Sequence, residues 1–309
     1  MTHPAIEIDG VAKTFGKKTV LRDLSLAVQP GRTYAFLGRN GAGKTTTIRL
    51  LMGLLKPTLG SLRVGGIDPE KDAMALRDRV GYLAEDQEMY PWMTVDEVIR
   101  FVAPFYSKWD QDLARQHVDE FELPVRTKVR NLSKGQTVRL GLVLALAHRP
   151  EVVILDDPAL GLDPIMRKQF NRDLITHLQG EGRTVFYSSH LLDEVEQVAD
   201  EVAILDAGRL VRQGETEELR ADVKRFVLAA EAAPLVERAG DVLDVRADGG
   251  EIAVTAARAE TVADRLLREG VTHRVIDLNL DEIFEAYVAG RPAMSLGPAG
   301  TPQPVEGAA

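Results

Sequence analysis

The stretch Gly38-Arg-Asn-Gly-Ala-Gly-Lys-Thr45 constrains this chain most, because it fits the pattern G-x-x-x-x-G-K-[ST] in the setting that gives the pattern a use. Ahead of it, Tyr34-Ala-Phe-Leu37 reads as a buried strand; behind it, residues 45–55 read as a helix. Glycines at 38, 41 and 43 let the backbone wrap so that its N–H groups face inward at phosphate oxygens, across a cradle that also takes in Asn40, Ala42 and Thr46. Lys44 then meets the β- and γ-phosphates, and the Thr45 hydroxyl is placed to ligate Mg²⁺. The helix that follows turns its positive end to the same phosphates. These residues imply a nucleotide triphosphate.

A magnesium ion in such a cradle needs a carboxylate at the end of a buried strand. Val152-Val-Ile-Leu-Asp-Asp157 supplies one, with Asp156 as the magnesium carboxylate. Alone, an apolar run ending in aspartate is weak, because aspartate also starts turns; beside the cradle it gains weight.

Residues 1–220 alternate short β-rich runs with helical periods, which predicts an α/β domain with a largely parallel sheet. Further buried strands are expected at residues 184–187 and 201–206, and residues 94–147 read as a mostly helical insert. From about residue 221 the texture changes to strands near 224–229, 242–247, 251–255 and 273–278, with helices at 257–269 and 280–288. Residues 221–290 are therefore expected to form a small α+β accessory domain, and residues 291–309, rich in proline and glycine, a disordered tail.

Composition removes several classes. With no cysteine, thiolate metal sites, disulfide scaffolds and cysteine nucleophiles are excluded. A net charge of −9 speaks against a nucleic-acid duplex as partner. The opening MTHPAIEIDG lacks the basic flank and apolar run of a secretion signal, and the longest clean apolar run, near residues 141–147, falls far short of the ~20 residues that span a bilayer. Membrane association is expected to come through a partner.

Between cradle and magnesium strand lies Asn131-Leu-Ser-Lys-Gly-Gln136, and here the chain resembles the ABC ATPases, whose signature is usually L-S-G-G-Q. Lys134 replaces one glycine, while Leu132, Ser133, Gly135 and Gln136 stand. Read by itself, Ser133 is a helix N-cap. The resemblance adds a second role: Ser133, Gly135 and Gln136 would contact the γ-phosphate of ATP held by the other subunit of a dimer. It also implies that Phe15 stacks on adenine, that Asp163 in Gly161-Leu-Asp-Pro164 couples the two sites, and that His190 senses the γ-phosphate. The resemblance spans residues 5 to about 220 and is similar in most detail to the subunits of ABC-2-type exporters, through Gly81-Tyr-Leu-Ala-Glu-Asp, Met89-Tyr-Pro-Trp-Met-Thr94 and the ending Leu278-Asn-Leu-Asp-Glu-Ile-Phe284.

What the resemblance implies is a P-loop NTPase fold of the ABC type with a helical subdomain, ATP and Mg²⁺ as ligands, and hydrolysis coupled to transport. The implied partners are an integral-membrane permease and a second ATPase subunit, identical or paralogous, at the cytoplasmic face of the membrane. Residues 85–94 would form a groove for a permease helix, with Met89, Tyr90, Trp92 and Met93 as an exposed apolar cluster.

Two positions depart from the family. The residue after the magnesium aspartate is usually glutamate, which positions or deprotonates the attacking water; here it is Asp157, shorter by one methylene. The loop that usually carries a glutamine reaching Mg²⁺ has Glu85 at the aligned place, with Gln87 two residues later. Slow but real hydrolysis is the expectation. The rivals are a soluble ABC ATPase of translation or repair, disfavoured by a single cassette and acidic charge, and a slowly hydrolysing regulatory switch.

Overall fold

Thr33–Gly38 (β3) is buried at every residue, and that burial follows from its place in the sheet. The computed structural model describes residues 3–174, 177–178, 182–189, 192–248, 250–290, 295–296 and 302–303. In it the chain divides into two compact units, residues 1–211 and 212–309.

In the first unit β3 lies between Thr184–Ser189 (β7) and Glu201–Asp206 (β8), parallel to both, with Leu37 opposite Ser189 and Gly38 opposite Leu205. The sheet continues through Val152–Asp156 (β6) to Val80–Leu83 (β5) on one side and ends at Arg209–Glu215 (β9) on the other. Strands flanked on both edges and covered on both faces read as continuous apolar runs, which is why β3, β6, β7 and β8 were visible in the sequence. Tyr34, Phe36 and Phe186 cluster in the core, the Phe36 and Phe186 rings 5.2 Å apart.

A second sheet, which the sequence reading did not resolve, pairs Ile6–Phe15 (β1) antiparallel with Lys18–Val28 (β2) and with Leu59–Val64 (β4). Its pairing shifts register between Ile8 and Val11, between Val11 and Lys13 and between Lys13 and Thr14, so the period-2 alternation that would announce a strand is broken. The helix Lys44–Leu51 (α1) buries Ile48, Leu50 and Leu51 in the same core and stops four residues before the predicted end at 55.

Ala73–Arg79 (α2) leads into β5. The insert then holds Val95–Val102 (α3), Gln111–Glu120 (α4) and Lys134–Leu146 (α5), within the expected bounds. Thr94 and Ser133 open α3 and α5 with capping boxes, each side chain exchanging hydrogen bonds with a residue three ahead. Asp163 accepts from Ile165 and Met166 N–H and so starts Pro164–Leu174 (α6), after which Leu192–Val195 (α7) precedes β8.

The second unit begins with the end of β9 and Thr216–Asp222 (α8). Its four-stranded antiparallel sheet, in the order Asp241–Asp248 (β11), Glu251–Ala257 (β12), Lys224–Leu228 (β10), His273–Asp277 (β13), matches the expected strands to within a residue or two. Ala233–Ala239 (α9) and Ala259–Arg268 (α10) cover it, burying Val236, Val262 and Leu266 against Phe226 and Val254. Leu280–Ala289 (α11) opens on an Asn279 capping box. Most of the tail from residue 291 lies outside the described residues; of it, Ser295–Leu296 pairs antiparallel with Pro302–Gln303.

The seat of the insert on the sheet generates a stability prediction. A Cβ on Gly81 in β5 would press the Ala145 carbonyl of α5 and reach Pro150 Cγ at 3.0 Å. Gly81→Ala is expected to lower stability by about 1–3 kcal/mol, the usual range for an overpacked core. Equilibrium urea unfolding with an unchanged slope and an unchanged midpoint would show that α5 does not rest on β5 this closely.

Candidate nucleotide site

Four neighbouring parallel strands finish at one place: β5 at Leu83, β6 at Asp156, β7 at Ser189 and β3 at Gly38. The crevice outside the carboxyl ends of such strands is where open α/β sheets bind ligands. A cleft of about 450 Å³ opens there, lined among others by Lys18, Arg39, Lys44, Thr45, Glu85 and Asp157. A second, of about 490 Å³, shares Thr45 and Glu85 with it and adds Gln87 and Asp156. A larger cavity, about 670 Å³, lies at the amino ends of the strands between residues 30–31, 149–152 and 182–184. None of the candidate nucleotide- or metal-binding residues lines it.

Space and torsion account for the cradle glycines. Gly43 has φ 119°, and a Cβ there would meet Leu21 Cδ2 at 2.6 Å. On Gly38 a Cβ would meet the Leu205 carbonyl at 2.7 Å, because β8 runs alongside. Gly41 turns at φ 82°. No side chain caps α1 at Gly43, so the N–H groups of its first turn are left for an anion. Ala42 N–H bonds the Arg39 carbonyl at 3.0 Å and closes the loop.

Lys44 is 7% exposed and donates to the Gly38 carbonyl at 2.7 Å. Burial lowers its pKa, and the charges of Asp157, Asp156 and Glu85 pull it back up. Burial pushes the Asp156 carboxyl up; the Ser188 hydroxyl opposes this, while Glu85 and Asp157 add to it and Lys44 opposes it. Three carboxylates thus face one ammonium in a partly dry cleft, a negative excess suited to a cation.

Ser188 ties the two aspartates together, a role the sequence reading did not assign. Its hydroxyl donates to Asp156 Oδ1 at 2.9 Å and accepts from Asp157 N–H at 3.1 Å, and its carbonyl accepts from the same N–H at 3.1 Å. The signal lay in Ser188-Ser189, two hydroxyls ending an otherwise apolar strand. Asp157 itself is 7% exposed and holds φ 46°.

Asn40, Gly41, Gly43, Lys44, Thr45 and Thr46 line the phosphate cleft together. Phe15 ends β1, 45% exposed, with Lys13 Nζ over its ring at 4.9 Å from the centroid; its strand partner Lys18 lines the cleft instead. Gln87 turns its amide back onto the Ala84 and Glu85 carbonyls at 2.8 and 3.2 Å, which leaves Glu85 as the side chain of that loop facing Lys44. Ser133, Gly135 and Gln136 stand apart from the cleft at the start of α5, with Gly135 against Met166 of α6. His190 lies outside the described residues.

A glycine-walled phosphate loop, a buried lysine and strand-end carboxylates define a nucleotide triphosphatase. Residues 21–160 match the model of the family described as "ABC transporter". An uncharacterized ABC transporter ATP-binding protein of Bacillus subtilis (strain 168), YdbJ, is 37% identical over 213 residues, 68% of this chain and 69% of that one. The Nod factor export ATP-binding protein I of Ralstonia nicotianae (strain ATCC BAA-1114 / GMI1000) is 29% identical over 300 residues, 91% of this chain and 92% of its own. A solved structure titled as the ATP binding subunit of an ABC transporter superposes with a TM-score of 0.64 at 26% identity, covering 70% of this chain and 92% of the other. The chain belongs to the ABC transporter family as an ATP-binding protein, with the ATP hydrolysis activity of that family.

Ser188→Ala is the variant that separates positioning from fold. It removes the hydrogen bond that aims Asp156 and one of two acceptors of Asp157 N–H. Bonds to charged groups contribute about 1.5–3 kcal/mol, so the variant should melt lower while staying folded, and its metal-dependent ATP turnover should fall roughly 10- to 100-fold. Turnover equal to the parent protein's would show that Ser188 does not set the aspartates.

Proposed function

We propose that this chain is the ATPase subunit of an ABC-2-type exporter and that it works as a dimer closing on two ATP molecules. The observation that carries the reading is the convergence of Lys44, Thr45, Glu85, Asp156 and Asp157 at the carboxyl ends of one parallel sheet. Export is supported by a relative named for Nod factor export that matches across both units of the chain.

In this reading the loop N–H groups and Lys44 hold the phosphates. Thr45, Asp156 and Glu85 offer hydroxyl and carboxylate oxygens, the donor set a hard divalent cation takes. Magnesium bound there supplies charge neutralisation at the β- and γ-phosphates. Asp157 orients the attacking water, and its buried main-chain N–H, tied to Ser188, fixes the turn that carries the carboxylate. Phe15 stacks on adenine, exchanging the Lys13 cation that covers its ring. His190 senses the γ-phosphate.

Ser133, Gly135 and Gln136 complete the site of a second subunit, identical or paralogous. Support comes from their absence among the residues that line the chain's own cleft and from the first turn of α5, which carries no acidic residue to repel a phosphate. The permease partner docks on the insert. Tyr90 and Trp92 are 45% and 60% exposed and continue into Phe101 and Phe105, 42% and 53% exposed, with neighbouring ring centroids 5.1–5.6 Å apart. Met89 and Met93, expected to be exposed with them, are half-buried. Among the described residues no helix is long and apolar enough to cross a membrane, in keeping with a peripheral subunit at the cytoplasmic face. Residues 221–290, within the second unit, serve as an accessory domain.

Lys44→Ala should leave a folded protein with most ATP binding and turnover lost, read by equilibrium binding and steady-state ATPase; unchanged values would end the assignment of this cleft. Asp157→Asn should bind ATP and hydrolyse it about 10²-fold more slowly, and with ATP it should move from monomer to dimer in light scattering. A variant that stays monomeric with ATP and with its membrane partner would contradict the closed dimer. Asp157→Glu should raise kcat, by at most about 1–3 kcal/mol of barrier, with little change in KM. A slower Asp157→Glu enzyme would mean that the aspartate already reaches the water and that glutamate crowds the phosphate.

A further inference from the structure

Away from the nucleotide cleft, His117, Glu120 and His177 come together with the chemistry of a metal centre. Among the described residues theirs is the one histidine–carboxylate group whose ligand atoms all lie within 4.8 Å of one another. His117 and Glu120 are three apart on α4 and so share a helix face. His177 follows α6, brought in from 57 residues further along the chain than Glu120.

The distances suit an ion as well as a hydrogen bond, with the His177 ring lying edge-on to His117 and Phe121. Glu120 Oε2 is 3.1 Å from His117 Nδ1 and 3.6 Å from His177 Nδ1. The first distance suits a hydrogen bond; the second exceeds one, so hydrogen bonding does not explain why His177 is held there. Ligands at the 2.0–2.1 Å typical of zinc stand about 3.3–3.4 Å apart along a tetrahedral edge, and the two measured separations bracket that value. Two imidazoles and a carboxylate are a zinc donor set that leaves a fourth position for water.

The surroundings hold the donors as a metal site requires. Gln116 Nε2 donates to Glu120 Oε1 at 2.9 Å, which fixes that oxygen and leaves Oε2 to the imidazoles. Phe121 stacks on the His117 ring at 5.8 Å and meets the His177 ring edge-on at 5.2 Å, an apolar wall behind both. The nearby Arg139 guanidinium, 6.0 Å from the Phe121 ring centre, is paired with Asp173 at 3.2 Å, so its charge is countered. The His117 side chain is 2% exposed and that of Glu120 36%, so the centre is anchored inside and open on one side to water and ions.

We propose that His117, Glu120 and His177 bind a divalent transition metal of the zinc type, with water as the fourth ligand. The ion joins α4 of the insert to the segment after α6, the helix that leaves the loop of Asp157 and Asp163. The inference is independent of the exporter reading, since it needs no nucleotide.

The test is calorimetric titration of the full-length, chelator-treated, nucleotide-free protein with Zn²⁺, with Mg²⁺ as the comparison and Co²⁺ as the spectroscopic probe. One zinc per chain, a higher melting temperature and the strong visible absorption of tetrahedral cobalt are expected, with magnesium failing to compete. Glu120→Gln and His177→Gln should each weaken zinc by more than about 100-fold, and Gln116→Ala, which removes no ligand atom but frees Glu120 Oε1, by roughly 10- to 100-fold. His177 is the less buried histidine, 15% exposed against 2% for His117, so its replacement tests the site without hollowing the core. Asp156→Asn should bind zinc as the parent does. Zinc affinity that survives Glu120→Gln and His177→Gln, that falls with Asp156→Asn, or that does not exceed that for magnesium would overturn the proposal.

Discussion

One buried cation set among carboxylates is the constraint on which the nucleotide end of the molecule depends. Lys44, Asp156 and Asp157 are each less than a tenth exposed, and a charge taken from water alone costs several kcal/mol unless paired and hydrogen-bonded. No local segment can pair them, because Lys44 lies 112 residues ahead of the adjacent pair Asp156-Asp157. The sheet does it by ending β3 and β6 side by side around β7, whose Ser188 hydroxyl bridges the two aspartates. The order β6-β7-β3 is thus what makes the charges tolerable, and the glycines of the cradle are what let β8 and Leu21 close on the loop without contact below van der Waals distance.

That dependence explains what the sequence disclosed. The cradle was legible in eight residues because each glycine answers to a torsion or a contact that no other residue meets. Strands β3, β6, β7 and β8 were legible because burial on both faces removes polar residues from them. The β2-β1-β4 sheet was not, since its bulges interrupt alternation. Nor was α9, seven residues rich in alanine, whose helicity rests on packing against the accessory sheet.

The site was legible to the extent that its residues are adjacent in sequence. Asp156, Asp157 and the loop could be named; Ser188 as their bridge could not, because a serine at a strand end is silent until its partner strand is placed. Met89 and Met93 were expected at the surface with Tyr90 and Trp92, yet they are half-buried. For Met89 the reason is long-range: the missing side chain of Gly141 on α5 leaves room that Met89 and Gln87 approach, a vacancy a linear reading does not contain. His117 and Glu120 show their spacing, but His177 joins them only through the packing of α4 near the end of α6.

Asp157 joins backbone strain and catalytic reach at one residue. Its φ of 46° lies in the left-handed region, where aspartate and asparagine are several-fold enriched because their short polar side chains bond locally. Glutamate has no such local bond to offer, and the left-handed turn costs an ordinary residue roughly 1–2 kcal/mol. A turn this tight, closed by Leu160 N–H on the Asp157 carbonyl and by Asp157 N–H on Ser188, favours the shorter acid on backbone grounds alone. Conformation thus attaches a cost to a glutamate at this position before any appeal to catalysis, though one this chain accepts elsewhere, at Glu122 with φ 52°. Reach and strain pull in opposite directions here. A longer carboxylate gains distance toward the phosphate and loses turn stability, and because the strain is present whether or not ATP is bound, it bears on stability while reach bears on rate.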